Sequence, residues 1–290
     1  MSPHLPSSPP PDCPRGLFTA LALRRDEEID LAEGALLISA EENPGLDVRR
    51  WLAYLDELAA EAAPLVAAAG STAGGGSDLA RLDALRGFLF EDQGFRGERE
   101  HYGDPANSFL DRVLERRAGI PITLATVMLE VARRIGLPLL GVGLPGHFLV
   151  RHALHPAVLL DPFDGRFVSH HDCQAMIARL GDGRLPFHPR LLAPVTTRAM
   201  LHRLLNNLRA VHFARGDMER TLGALDRMLL LFPDDAVHLR ERGLHHLHRG
   251  DLVAALEDLT RYIAVEPEAP DRDAVHALLA MGRQRLSVVH

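Results

Sequence analysis

Two side chains in the middle of the chain have the types and spacing for acid–base chemistry. His147 lies in "LPGHFLVRH" and Asp161 in "LLDPFDG", 14 residues further on. A carboxylate that orients an imidazole is the supporting half of a Cys-His-Asp centre. The same residues also have a structural reading, in which Pro145-Gly146 makes a turn, His147 hydrogen-bonds within it and Asp161-Pro162 closes a strand. Spacing alone leaves both open. Other reactive groups are sparse. The two cysteines, Cys13 and Cys173, make neither a disulfide framework nor a CxxC zinc site. Lysine is absent and all 32 Lys-or-Arg positions are arginine, which removes Schiff-base chemistry and a phosphate-loop lysine. Among 16 histidines, two clusters invite a metal reading: His170-His171-Asp172-Cys173, and His245, His246 and His248. Neither has a recognised ligand spacing, so no metal and no cofactor is expected.

The elements that must position His147 and Asp161 are legible in outline. At 290 residues the chain has room for two or three domains, and 47% apolar content supplies real cores. The net charge of -7 gives no drive toward nucleic acid or an anionic membrane, and no apolar run has spanning length. The expectation is a soluble cytoplasmic protein. Six prolines within residues 1–15 predict a disordered tail, with order beginning near Phe18. Residues 16–103 read as helical. One helix opens at Asp26 and stops at Asn43-Pro44-Gly45, and a second is capped by Asp47. A flexible "AGSTAGGGS" loop at 69–77 precedes a third helix with Leu79, Leu82, Leu85 and Leu89 as its stripe.

Residues 104–195 differ in kind. Asn107-Ser108 is expected to cap a helix ending near Gly119, and Pro121 to open the next, which stops at Gly136. "LPLLGVGL", "GHFLVRH" and "AVLLDPF" have strand length, so His147 is expected on a strand and Asp161 at the end of another. Helices followed by short neighbouring strands predict an α+β domain with an antiparallel sheet. Residues 196–290 carry an internal repeat. "RGDMERTLGALDRMLLLFP" and "RGDLVAALEDLTRYIAVEP" agree at seven positions offset by 34 residues, the period of the tetratricopeptide helical hairpin. Gly243 falls at a small-residue position, and a further helix from Asp271 to Leu286 would help bury the repeat faces.

"NSFLDRVLERRAGIPITLATVMLEVARRIGLPLLGVGLPGHFLVRH", with "DPFDG" downstream, resembles the bacterial SirB-type branch of the transglutaminase-like superfamily. The resemblance runs from about Phe18 to the end. It implies a helical N-terminal region, a papain-like core with a helix on an antiparallel sheet, and C-terminal tetratricopeptide repeats. It also implies His147 and Asp161 as the histidine and aspartate of a triad. The cysteine does not carry over: its expected place at the helix start falls on Pro121, with Thr123 one step inside. A helix N-terminus favours a thiolate, but proline has no nucleophilic atom and a threonine hydroxyl needs an aligned base.

The expected function is therefore a non-catalytic scaffold. Its degenerate core would hold a peptide in a groove lined by Asn107, Arg116, Arg117, His147 and Asp161, while the repeats bind a protein partner. Arg116 and Arg117 have an alternative as surface arginines paired with nearby acids. The alternative function is a hydrolase or acyltransferase in which His147, oriented by Asp161, acts as base on water or Thr123. A third reading leaves His147 structural, with the repeats as the only working surface.

Overall fold

In the computed structural model, residues 10, 12–72, 77–180 and 186–289 are described. The chain divides into two compact units, Met1–Leu204 and Leu205–His290. The first begins with α1 (Pro14–Ala22), earlier than the prolines suggest, because Pro14 suits a first turn and Cys13 Sγ accepts from Gly16 N. Of the proline-rich tail, residues 1–9 and 11 lie outside the described residues. Asp26–Glu28 forms only a 3₁₀ turn, and α2 (Leu31–Glu42) starts later, capped by Asp30 accepting from Glu33 N. Asp47 caps α3 (Val48–Thr72) by accepting from Arg49 N and Arg50 N. α3 continues through Pro64 into the expected loop, of which 73–76 lie outside the described residues, and α4 (Ser77–Gly87) follows.

A two-residue parallel pairing joins β1 (Arg96–Gly97) to β2 (Ala118–Gly119) on either side of α5 (Leu110–Arg116). The cap of α5 is not Asn107-Ser108. Phe109 is the N-cap residue, and the helix's first N–H, that of Leu110, donates to the buried Ser39 Oγ of α2 at 3.1 Å. The helix ends with Arg117 in a left-handed conformation at φ 54°. α6 (Pro121–Arg134) is the central helix, buried along almost its whole first three turns. It packs on β3 (Leu139–Val142) and β4 (Leu149–His152).

The sheet is antiparallel in the order β3-β4-β5-β6, completed by β5 (Leu159–Asp161) and β6 (Arg166–Val168). Val142 pairs with Leu149, Leu160 with Phe167 and Asp161 with Arg166. Two-residue alternation sends Leu149 and Leu159 to one face, where they meet Cys173 and Ile177 of α7 (His170–Leu180). Val150 and Leu160 point to the other face and are equally buried. β6 and α7 were not anticipated from the sequence.

α8 (Thr197–Ala214) crosses the division between units. The second unit continues with α9 (Met218–Leu231), α10 (Ala236–Arg249), α11 (Leu252–Val265) and α12 (Arg272–Val289). α9 and α11 start 34 residues apart and are each 14 residues long, as the repeat requires. Gly243 lets α10 lie tight against α11, since a Cβ there would sit 2.9 Å from Leu259 Cγ. Val275 and Leu279 of α12 join Leu259 and Tyr262 in one apolar cluster, so the last helix covers the repeat face. Among the described residues, no helix is long and apolar enough to cross a membrane.

Candidate functional site

His147 is not on a strand. It sits in the turn after Pro145-Gly146, two residues ahead of β4. Gly146 takes φ +68°, a left-handed value that glycine adopts without strain. Arg203 fixes this turn from behind: Nη2 donates to the carbonyls of Leu144 and His147, both at 2.7 Å, with the guanidinium over the Phe148 ring. Loss of water around the guanidinium pulls the Arg203 pKa down, and only the Tyr102 hydroxyl works against it.

Asp161 ends β5 and is 1% exposed. Its Oδ1 accepts from Phe163 N at 2.9 Å and lies 2.9 Å from His147 Nε2. The imidazole and carboxylate are thus in contact, but the ring N–H is turned off the line to the oxygen and forms no directed hydrogen bond. Both residues line an open pocket of ≈ 410 Å³ whose walls include Arg99, Phe163, Met176 and Leu180. Phe163 organises one side of it. Its ring packs edge-on against His147 and Tyr102, and the Arg99 guanidinium sits 5.0 Å from its centroid. Gly97 makes room for that ring, since a Cβ there would come within 2.6 Å of it.

The other sequence candidates lie behind this surface. Thr123 is 1% exposed, and its hydroxyl donates to Asn107 O at 2.8 Å while accepting from Ile120 N at 3.1 Å. Gly119 is required beside it, because a Cβ would stand 2.6 Å from Thr123 Oγ. Asn107 is fully buried and donates to the carbonyls of His101 and Tyr102, and its own Oδ1 accepts from Arg116 Nη2 at 3.1 Å. Arg116 also pairs with Asp104, and Arg117 Nη1 donates to Gln93 O at 2.8 Å. Asn107, Arg116 and Thr123 therefore brace the loop that carries Arg99 and Tyr102, and none of them lines the pocket. Pro121 is buried at the start of α6 and does not line it either.

Cys173 is wholly buried among Leu149, Leu159 and Ile177, and burial pushes its thiol pKa up, with Asp172 and Asp161 adding to the shift. Among the described residues, those lining the His147 pocket include no cysteine, serine, threonine or lysine. His170 and His171 are exposed at the start of α7 while Cys173 points into the core, so that cluster does not converge. In the repeats, His245 lies 3.9 Å from Glu241 and His246 3.5 Å from Asp251. Sequence reasoning missed Arg99, Phe163, Arg179 and Arg203. Phe163 is part of "DPFDG" and was within reach, whereas the others approach only through the tertiary fold.

Comparison with known proteins matches residues 49–206 to the transglutaminase-like superfamily and residues 208–280 to a tetratricopeptide repeat family. A UPF0162 protein of Xylella fastidiosa is 34% identical over 285 residues, covering 93% of this chain and 96% of the relative. One from Vibrio cholerae is 29% identical over 84% of this chain and 90% of its own length. Another, from Pseudomonas aeruginosa, is 34% identical over 74% of this chain and 77% of the relative. No solved structure matches.

Proposed function

Because the chain belongs to the transglutaminase-like superfamily, among the bacterial UPF0162 proteins, and carries tetratricopeptide repeats, we propose that it works as a non-catalytic protein-interaction scaffold. Its core keeps a pocket shaped to hold a peptide, and its repeats recruit a protein partner. The same reading has it act in the cytoplasm. The observation that carries it is the missing thiol: among the described residues, the pocket around His147 presents an imidazole and carboxylates but no cysteine, serine or threonine. Thr123 spends its hydroxyl on Asn107, and Cys173 is sealed in apolar packing that disfavours thiolate.

The repeat unit offers the partner a surface of its own. A groove of ≈ 580 Å³ runs over α8 and α10, with Phe213 and Val237 exposed at 52% and 69% beside Arg209 and Glu241. Tetratricopeptide repeats in general mediate protein–protein contacts through such extended surfaces. A second reading is favoured by the 2.9 Å contact of His147 with Asp161 in an open pocket, which suits a hydrolase using His147 as base on water.

One assay separates the two. Full-length protein is incubated with a glutamine peptide and a fluorescent amine, and separately with an activated ester. The scaffold reading expects wild type and His147→Ala to match the buffer rate in both. A rate above buffer that His147→Ala abolishes would replace it with the hydrolase reading. On the scaffold reading, Phe213→Glu with Val237→Glu releases captured partners while the helical circular dichroism stays unchanged.

A further inference from the structure

The pocket beside His147 has a charge pattern that holding a generic peptide does not require. In a chain of net charge -7, three arginines (Arg99, Arg166, Arg179) line it against two aspartates. Asp161 accepts from Phe163 N and lies against the His147 ring. Asp164 alone serves two arginines, at 2.5 Å from Arg99 and 3.3 Å from Arg166. Arg166 reaches Asp164 through Nε, and its charge also helps hold the Asp172 carboxyl below its ordinary pKa, after that carboxyl's hydrogen bonds to Ser169. Arg179, exposed in the last turn of α7, makes no ion pair among the described residues. One carboxylate is thus shared by two arginines, and the third arginine of the lining, Arg179, has none among the described residues.

A guanidinium fork matches a carboxylate in two parallel hydrogen bonds, and charge-assisted bonds of this kind are the strong ones. Beside the arginines the pocket is apolar, with Met176 and the 53%-exposed Leu180. A small free anion would leave that apolar wall uncovered, whereas a peptide can place an acidic side chain on the arginines and its apolar neighbour on the wall.

We propose that this pocket binds the side-chain carboxylate of an acidic residue within an extended peptide, with Arg166 and Arg179 receiving the carboxylate and Met176 and Leu180 the flanking apolar side chain. This rests on the scaffold reading and names the class of peptide it holds. The test uses full-length protein and terminally blocked, fluorescein-labelled peptides with a central Glu between leucines, or Gln in its place, titrated by anisotropy. The Glu peptide is expected to bind about tenfold tighter than the Gln peptide at low salt, with the advantage shrinking as salt screens the charges. Arg166→Ala with Arg179→Ala should bring the Glu peptide down to the Gln level. Equal affinity of the two peptides, or no binding of either, overturns the proposal. Competition by sodium glutarate at concentrations that match the peptide overturns the peptide assignment in favour of a small anion. The scaffold reading falls on turnover in the amine and ester assays, so a lost Glu preference without turnover sinks this proposal alone.

Discussion

The pocket of the core and the repeats use arginine in opposite ways. In the repeats, Arg242 is enclosed between successive helices. It bonds both carboxylate oxygens of Asp258 at 2.7 Å and Asp226 at 2.9 Å, and Asp258 is only 6% exposed. Arg240 is matched by Asp271, which also accepts from Tyr262 Oη. These charges are neutralised where they stand and tie α9, α10 and α11 together. Around His147, Arg166 and Arg179 are exposed: Arg166 shares Asp164 with Arg99, and Arg179 makes no ion pair among the described residues. Arg203 stands between the extremes, half-buried and held by carbonyls, with its pKa lowered by desolvation. A closed guanidinium is architecture, while an open one beside a pocket remains available to a ligand.

The sharpest way to break that contrast is to remove one arginine of each sort. Arg242→Ala strands a nearly buried Asp258 without its partner, and such a loss costs about 3 kcal/mol. Arg166→Ala removes a half-exposed side chain whose ion pair is worth less than about 1 kcal/mol. Urea denaturation followed by circular dichroism measures both. Equal losses would show that the repeat network is no more structural than the pocket rim.

The same contrast explains what could be read in the sequence. The repeat was legible because its information is local: seven identities at a 34-residue offset, Gly243 against Leu259, and Asp217 capping α9 all act within one hairpin or its neighbour. The strands of the core were visible as short apolar runs, but β6 was missed because "RFV" follows the last turn with two exposed residues and one buried. Asn107 was read as a cap because its type and position suit one, yet its side chain serves the loop at His101 and Tyr102. Pairing His147 with Asp161 was implied by the family resemblance, whereas spacing alone left it open. The turn that carries His147 was not legible, since Arg203 lies 56 residues away from it in the chain.

Ser39 sharpens the point, because the cap of α5 arrives from 71 residues away. Its hydroxyl is the acceptor for Leu110 N in a site where both residues are about 1% exposed. Ser39→Ala leaves that N–H buried without a partner, at a cost of about 2 kcal/mol. Ser71→Ala is the control, as Ser71 Oγ only bonds Ala67 O within its own exposed helix turn. A difference of less than about 0.5 kcal/mol between the two would place the cap of α5 elsewhere.

The smallest expected effect is in pH dependence, and it rests on one histidine of the core sheet. His152 on β4 is fully buried, and its Nδ1 accepts from Leu154 N, which places the neutral ring's proton on Nε2. Burial holds its pKa below the ordinary 6.5; His155 and Arg81 push the same way and only Asp78 opposes them. As pH falls, the unfolded chain therefore takes up this proton first, so stability drops with falling pH. The contribution is intact above 6.5 and is lost as pH falls through that value toward the lower folded pKa. Urea midpoints taken between about pH 7.5 and about pH 5.5 should fall more steeply for wild type than for His152→Gln, which has nothing to titrate. Parallel slopes for the two proteins would mean that this histidine is hydrated in solution.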